Sequence, residues 1–124
     1  MGGGPTSQSL GIVLDEVGPG RATVRMTLRE DMVNGHDIGH GGLTFTVADS
    51  AFSFACNSYN RRTVAASAEI RFLAPTRQGD VLVETATERE RQGRDGVYDV
   101  TVTVGERVVA TFVGRSKEID GTLW

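Results

Sequence analysis

The chain holds one cysteine, three prolines and two histidines among its 124 residues, and it has no long apolar run. Each shortage excludes something. A single cysteine cannot form an intramolecular disulfide, and it points to a reducing, cytoplasmic setting. No segment reaches the ~20 consecutive apolar residues of a membrane-spanning helix, so a membrane is not an expected partner. Positive charge is also short. Thirteen Lys and Arg face sixteen Asp and Glu, a net charge of -3, and the basic face that nucleic acid requires is missing. The opening MGGGPTSQS has neither the charged n-region nor the apolar h-region of a secretory signal. It reads as a flexible lead-in over residues 1–9, followed by one domain over 10–120, because two domains of this size would each lack an adequate core.

What is present is glycine, sixteen residues of it, and a clear change of hydrophobic period along the chain. Residues 9–17 read as a strand, and "GPG" at 18–20 as a turn. In 21–29, Val24, Met26 and Leu28 alternate with Thr23, Arg25 and Thr27, so the two segments form a hairpin. Residues 30–42 read as a loop. From about Gly42 to Tyr59 runs a helix-length segment free of proline, whose apolar residues leave almost no polar stripe. Such a helix is buried rather than laid on a surface. Residues 63–73, 80–90, 96–104 and 107–119 then read as four strands in an antiparallel meander, with a tight turn at Gly105 and Glu106. The expected class is α+β, an antiparallel curved sheet wrapped around one long buried helix, and one face of that helix calls for a second subunit.

The stretch "NGHDIGHGGLTFTVADSAFSFACNSYN" (34–60) carries the chemistry. At the start of a helix the first backbone N–H groups lack intrahelical partners and sit at the positive end of the macrodipole. A glycine there, Gly41, lets a substrate oxygen approach closely and makes an oxyanion site. Asp49 follows among Phe45, Ala48, Phe52 and Phe54. A carboxylate in such company is costly unless it is paired. It is either satisfied by Thr46 or Ser53, or it serves as a general base or nucleophile in a dry pocket. Eight residues of helix separate the two by ~12 Å, so one small carbonyl cannot touch both in the same chain. If they serve one reaction, Gly41 belongs to one chain and Asp49 to its two-fold partner.

Rival chemistries fit less well. His36 and His40 have the spacing of a helical zinc site, but glycines 35, 39, 41 and 42 oppose a helix there, and only Asp37 or Asp49 could add a third ligand. His40, Asp49 and Ser50 do not make a hydrolase triad. Adjacent helical residues diverge by ~100°, and no G-x-S-x-G elbow is present. Cys56 lies on the apolar face as core filler.

The combination N-G-H…H-G-G, A-D-x-A-F and A-C-N-S resembles the helix motif of hotdog-fold acyl-CoA thioesterases of the phenylacetate-pathway (PaaI) type. The likeness continues through "VAASAEIRFLAPTRQGDVL", "GVYDVTV" and "VVATFVGRSKEI", covering about residues 10–119. The resemblance implies a hotdog fold, a homodimer paired again into a homotetramer, and hydrolysis of an aromatic acyl-CoA such as (hydroxy)phenylacetyl-CoA without metal or cofactor. Carried over position by position, Gly41 N–H polarises the thioester carbonyl and Asp49 of the opposite subunit is the base or nucleophile. Asn34 orients the water or the oxyanion, and His40 shapes the carbonyl pocket. For the phosphates of CoA, the exposed basic residues Arg115 and Lys117 are the candidates, with Arg61, Arg62 and Arg71 behind them. Two other readings stay open on the sequence: a hotdog dehydratase or hydratase, and a non-catalytic acyl-CoA-binding domain.

Overall fold

The computed structural model describes residues 11–32 and 41–119. Six strands and one long helix follow in the order β1 (Val13–Gly18), β2 (Arg21–Thr27), a 3₁₀ turn (Glu30–Met32), α1 (Gly41–Cys56), β3 (Thr63–Phe72), β4 (Val81–Gln92), β5 (Asp95–Val104) and β6 (Arg107–Glu118). All strand pairs are antiparallel. No helix among the described residues is long and apolar enough to cross a membrane.

Period-2 alternation sets the two faces of the sheet. On β2, Ala22, Val24 and Met26 are buried; on β4, Leu82, Glu84 and Ala86; on β5, Tyr98, Val100 and Val102; on β6, Ala110 and Phe112. These side chains, with the buried face of α1, form one core. The opposite face is polar. Its most regular feature is a row of threonines in direct cross-strand register, Thr23, Thr85, Thr101 and Thr111.

The expected four-strand meander holds only for β4, β5 and β6. The sheet order is β1-β2-β4-β5-β6-β3, so β3 pairs with β6 and β4 with β2. The chain therefore crosses between β3 and β4 instead of turning back in a hairpin. Leu73 and Ala74 both hydrogen-bond to Val109 O, and Leu28 N to Asp80 O, which tie the two ends of that crossing to different strands. As a result β3 lies at a sheet edge. Its residues 64–69 are exposed on both faces, an arrangement natural edges seldom leave uncovered.

The helix runs alongside β3 in the opposite sense, with Gly41 beside Phe72 at one end and Cys56 with Thr63 at the other. It nevertheless contacts all six strands. Six flat strands would span about 24 Å against a helix width of about 10 Å, so the sheet must curve round the helix. Close approach is helped by Gly114, where a Cβ would stand 2.8 Å from the Phe52 ring. Phe52 packs there between Tyr98 and Phe112, with ring centroids 5.7 and 5.8 Å away.

The helix stops at Cys56, three residues before the expected Tyr59, because Asn57 diverts the chain. Its Nδ2 donates to Ser53 O and Thr63 O, and its Oδ1 accepts from Thr63 N at 3.0 Å. One buried side chain thus joins the helix end to the start of β3. Asn57→Ala is expected to cost about 2–3 kcal/mol, since it removes three part-buried hydrogen bonds that join the helix end to β3. Urea unfolding should show the loss with an unchanged m-value.

Candidate functional site

Helix α1 places its two candidate residues on the side facing β3, at different heights. Gly41 is the first helical residue, where N–H groups have no intrahelical acceptor. A Cβ at this position would lie 3.1 Å from the Phe72 ring, so glycine keeps the backbone N–H open beside that ring. Gly41 opens onto a cavity of ≈ 390 Å³, walled by Phe72, Leu73, Ala74, Pro75, Val109 and the two threonines Thr44 and Thr76. Phe72 and Leu73 are more than half exposed at its mouth.

Two turns further along, Asp49 is half-buried. It opens onto a second cavity of ≈ 260 Å³, with Phe52, Ser53, Cys56, Thr63, Val64 and Ala65. Among the described residues no hydrogen bond or ion pair reaches its carboxylate. Thr46 directs its hydroxyl to Gly42 O at 2.8 Å, and Ser50 to Thr46 O at 3.0 Å. Neither alternative satisfier, Thr46 or Ser53, therefore engages Asp49. Desolvation raises its pKa above the ordinary 3.8. That combination, an acceptor held back from water and without a fixed donor, is what a general base needs. Cys56, in the same cavity, is a poor nucleophile. Burial pushes its thiol up to about 12, with the Asp49 charge adding to the effect, and its Sγ donates to Ser53 O.

The two cavities share no lining residue and sit at opposite ends of β3, one by Phe72 and the other by Thr63–Ala65. Within one chain, Gly41 and Asp49 do not converge. Between them stretches the exposed, small-residue middle of β3, Ala66, Ser67 and Ala68, with one ladder edge unpaired among the described residues.

Asn34, His36 and His40 lie outside the described residues. Arg115 and Lys117 alternate along β6 with the buried Gly114 and Ser116, so they project from the sheet face away from the helix. Arg115 borders a third cavity of ≈ 300 Å³ there, with Ser67 and Val97. Within one chain they are not gathered with Asp49 or Gly41. Of the other basic residues, Arg61 sits at the far end of the helix, 3.9 Å from Glu118.

Three residues escaped sequence reasoning. Thr44 and Thr76 meet only because the crossing after β3 folds back to the helix start. Glu84 is fully buried between Val24 and Val102, and among the described residues neither carboxylate oxygen is hydrogen-bonded. The pattern Leu82-x-Glu84-x-Ala86 was the available signal for it, since both flanking residues point inward.

The chain matches known proteins over most of its length. A family model described as the thioesterase superfamily matches residues 36–111. Acyl-coenzyme A thioesterase PaaI of Escherichia coli (strain K12) is 42% identical over 118 residues, 94% of this chain and 84% of that protein. The solved structure of the E. coli PaaI protein from the phenylacetic acid degradation operon superposes with a TM-score of 0.92 and 41% identity, covering 94% of this chain and 86% of that one. A hypothetical thioesterase protein of Streptococcus pneumoniae TIGR4, solved with coenzyme A, shares the fold at a TM-score of 0.84 and 20% identity, covering 90% of this chain and 88% of that one.

Proposed function

Because this chain belongs to the thioesterase superfamily and is an acyl-CoA thioesterase of the PaaI type, we propose that it hydrolyses (hydroxy)phenylacetyl-CoA or a related aromatic acyl-CoA in a site shared by two subunits. The observation that carries this reading is the division of the site in one chain. The helix N-terminus at Gly41 and the unpartnered carboxylate of Asp49 open into separate cavities on the same side of the molecule. Between the cavities lies the exposed edge strand β3. Pairing β3 with its counterpart in a second copy about a two-fold axis covers that edge. The same operation turns the second chain end for end, bringing its Thr63 end, and with it Asp49, toward the first chain's Phe72 end and Gly41. Two equivalent sites result.

In each, Gly41 N–H donates to the thioester carbonyl oxygen and stabilises the negative charge that develops on it. Asp49 of the partner subunit takes a proton from water as the water oxygen bonds to the carbonyl carbon, or attacks that carbon itself. The C–S bond then breaks and the CoA sulfur leaves as the thiol, taking up the proton Asp49 drew from water or, on the direct route, one from solvent. Direct attack leaves a mixed anhydride on Asp49, which water then hydrolyses to the free acid and the carboxylate. Both routes require the ionised carboxylate, and both use its desolvation to sharpen basicity. Asn34 orients the attacking group and His40 borders the carbonyl. The coenzyme A held by the pneumococcal protein of the same fold supports CoA as the leaving group, and Arg115 and Lys117 are the assigned contacts for its phosphates. A homodimer is the minimal unit, with a homotetramer of two such dimers as the working assembly.

Subunit complementation tests the shared site. Asn34→Ala and Asp49→Ala homodimers should each be nearly inactive. Mixed under conditions that exchange subunits, they should recover about a quarter of wild-type activity, because half of the dimers are hybrids and each hybrid has one intact site. No recovery, despite exchange shown by native mass spectrometry of a tagged chain, would count against a site built from two chains.

A further inference from the structure

The cavity beside Gly41 is mostly apolar, yet two hydroxyls are set into its wall. Thr44 projects from the first turn of the helix, and Thr76 from the crossing between β3 and β4. Both residues are only 4% exposed. Their neighbours show how unusual this is. Thr46 and Ser50, also on the helix, turn their hydroxyls back onto main-chain oxygens. Among the described residues neither Thr44 nor Thr76 has a hydrogen-bond partner, and neither hydroxyl counts among the atoms sealed from solvent. With no partner in the protein, such a hydroxyl can bond only water or a molecule that enters the cavity. Two of them facing one cavity suit a ligand that supplies the missing bonds.

The rest of the wall narrows the ligand. Among the described residues the rest of that wall, Phe72, Leu73, Ala74, Pro75 and Val109, offers no charge and no further polar side chain. A carboxylate or ammonium entering here would lose its hydration without a counter-charge. An aromatic ring fits the apolar wall, and a neutral hydroxyl on that ring can both accept from one threonine and donate to the other. The ≈ 390 Å³ volume lies in the range, roughly 300–1,000 Å³, of sites that enclose small molecules. Gly41, on the same wall, is the residue assigned to the thioester carbonyl, so the acyl group bonded to that carbonyl has this cavity within reach.

We propose that the Gly41 cavity is the acyl compartment and that Thr44 and Thr76 are its specificity-determining residues, reading a hydroxyl on the ring of an aryl-acyl group. This rests on the thioesterase site described above. The two threonines come from segments more than thirty residues apart, and they supply recognition, not bond cleavage. Their contribution therefore falls on discrimination between acyl groups.

The test compares 4-hydroxyphenylacetyl-CoA with phenylacetyl-CoA in wild type, Thr44→Val, Thr76→Val and the double variant. Valine keeps the shape and removes the hydroxyl. Wild type should prefer the hydroxylated thioester in kcat/KM. Each valine should lower that preference about five- to tenfold, mainly through KM, and Thr44→Ser or Thr76→Ser should restore it. Preferences unchanged in both valine variants, with the Tm also unchanged, would overturn the assignment. If wild type hydrolyses neither thioester, the catalytic reading has failed, and the cavity is then probed by NMR titration with the free acids. Tighter binding of 4-hydroxyphenylacetate than of phenylacetate, lost in the valine variants, would uphold the assignment, and equal binding would end it.

Discussion

Asp49→Asn lowers kcat for aryl-acyl-CoA hydrolysis by about two to four orders of magnitude and leaves the fold in place. The size follows from the role, since a positioned general base contributes roughly 10²–10⁴-fold, and a nucleophile at least as much. The survival of the fold follows from the surroundings. Among the described residues Asp49 holds no hydrogen bond or ion pair that asparagine would break, and the amide matches the carboxylate in shape. Burial raises the Asp49 pKa, so the charged form is disfavoured in the folded chain. Removing the charge should therefore leave thermal stability equal or slightly higher. Loss of activity with an unchanged or raised Tm is the diagnostic pair. Near-normal turnover by the asparagine variant would remove Asp49 from the mechanism altogether.

The second large effect concerns stability. Glu84 sits in the middle of the sheet, fully buried, with Val24 on one neighbouring strand and Val102 on the other. Among the described residues neither carboxylate oxygen has a hydrogen-bond partner. Desolvation by burial raises its pKa from 4.5 to about 9. The sign of the linkage follows directly. Below pH 4.5 the acid is protonated whether the chain is folded or not, and pH has no effect through it. Between about 4.5 and 9 the unfolded chain releases the proton while the folded chain retains it, so stability falls as pH rises. Above about 9 both forms are ionised and the penalty is constant. The maximal slope is about 1.4 kcal/mol per pH unit, which by pH 8 is large beside the roughly 5–15 kcal/mol of a typical domain. Glu84→Val should stabilise the chain by about 1–4 kcal/mol at pH 8, because valine matches its cross-strand neighbours and leaves no unpaired group. Glu84→Gln should flatten the pH dependence while keeping a buried polar group. Urea unfolding of the three proteins from pH 5 to 9.5 separates these effects. Parallel stability–pH curves for wild type and Glu84→Gln would show that Glu84 gains water or a partner on ionisation.

Much of the site was legible because its signals are local. The absence of a polar stripe over residues 43–56 marks a buried helix, and a carboxylate within it stands out against that background. The rise of a helix then separates Gly41 from Asp49 whatever the tertiary structure does. Glu84 was equally local, since alternation with Leu82 and Ala86 turns it inward. A glutamate ordinarily marks a solvent-facing position, and that expectation hid it. Thr76 offered no local signal at all. Its place beside Thr44 depends on the chain leaving β3, crossing the sheet and entering β4 next to β2.

From the sequence alone came the kind of each element, the face that β2 buries, the helix that carries Asp49 and the separation of Asp49 from Gly41 along that helix. Periodicity and helical rise are properties of contiguous residues, so a single chain read in order contains them. Only the tertiary structure decided which strand stands at the edge, which cavities open beside Gly41 and Asp49, and which face of β6 carries Arg115 and Lys117. The physical reason is that strand pairing uses main-chain N–H and C=O groups, which are the same at every residue. Nothing in β3 itself names β6, 38 to 55 positions away along their register, as its partner. That choice is made by the shared core, and the exposed edge at β3 is its consequence.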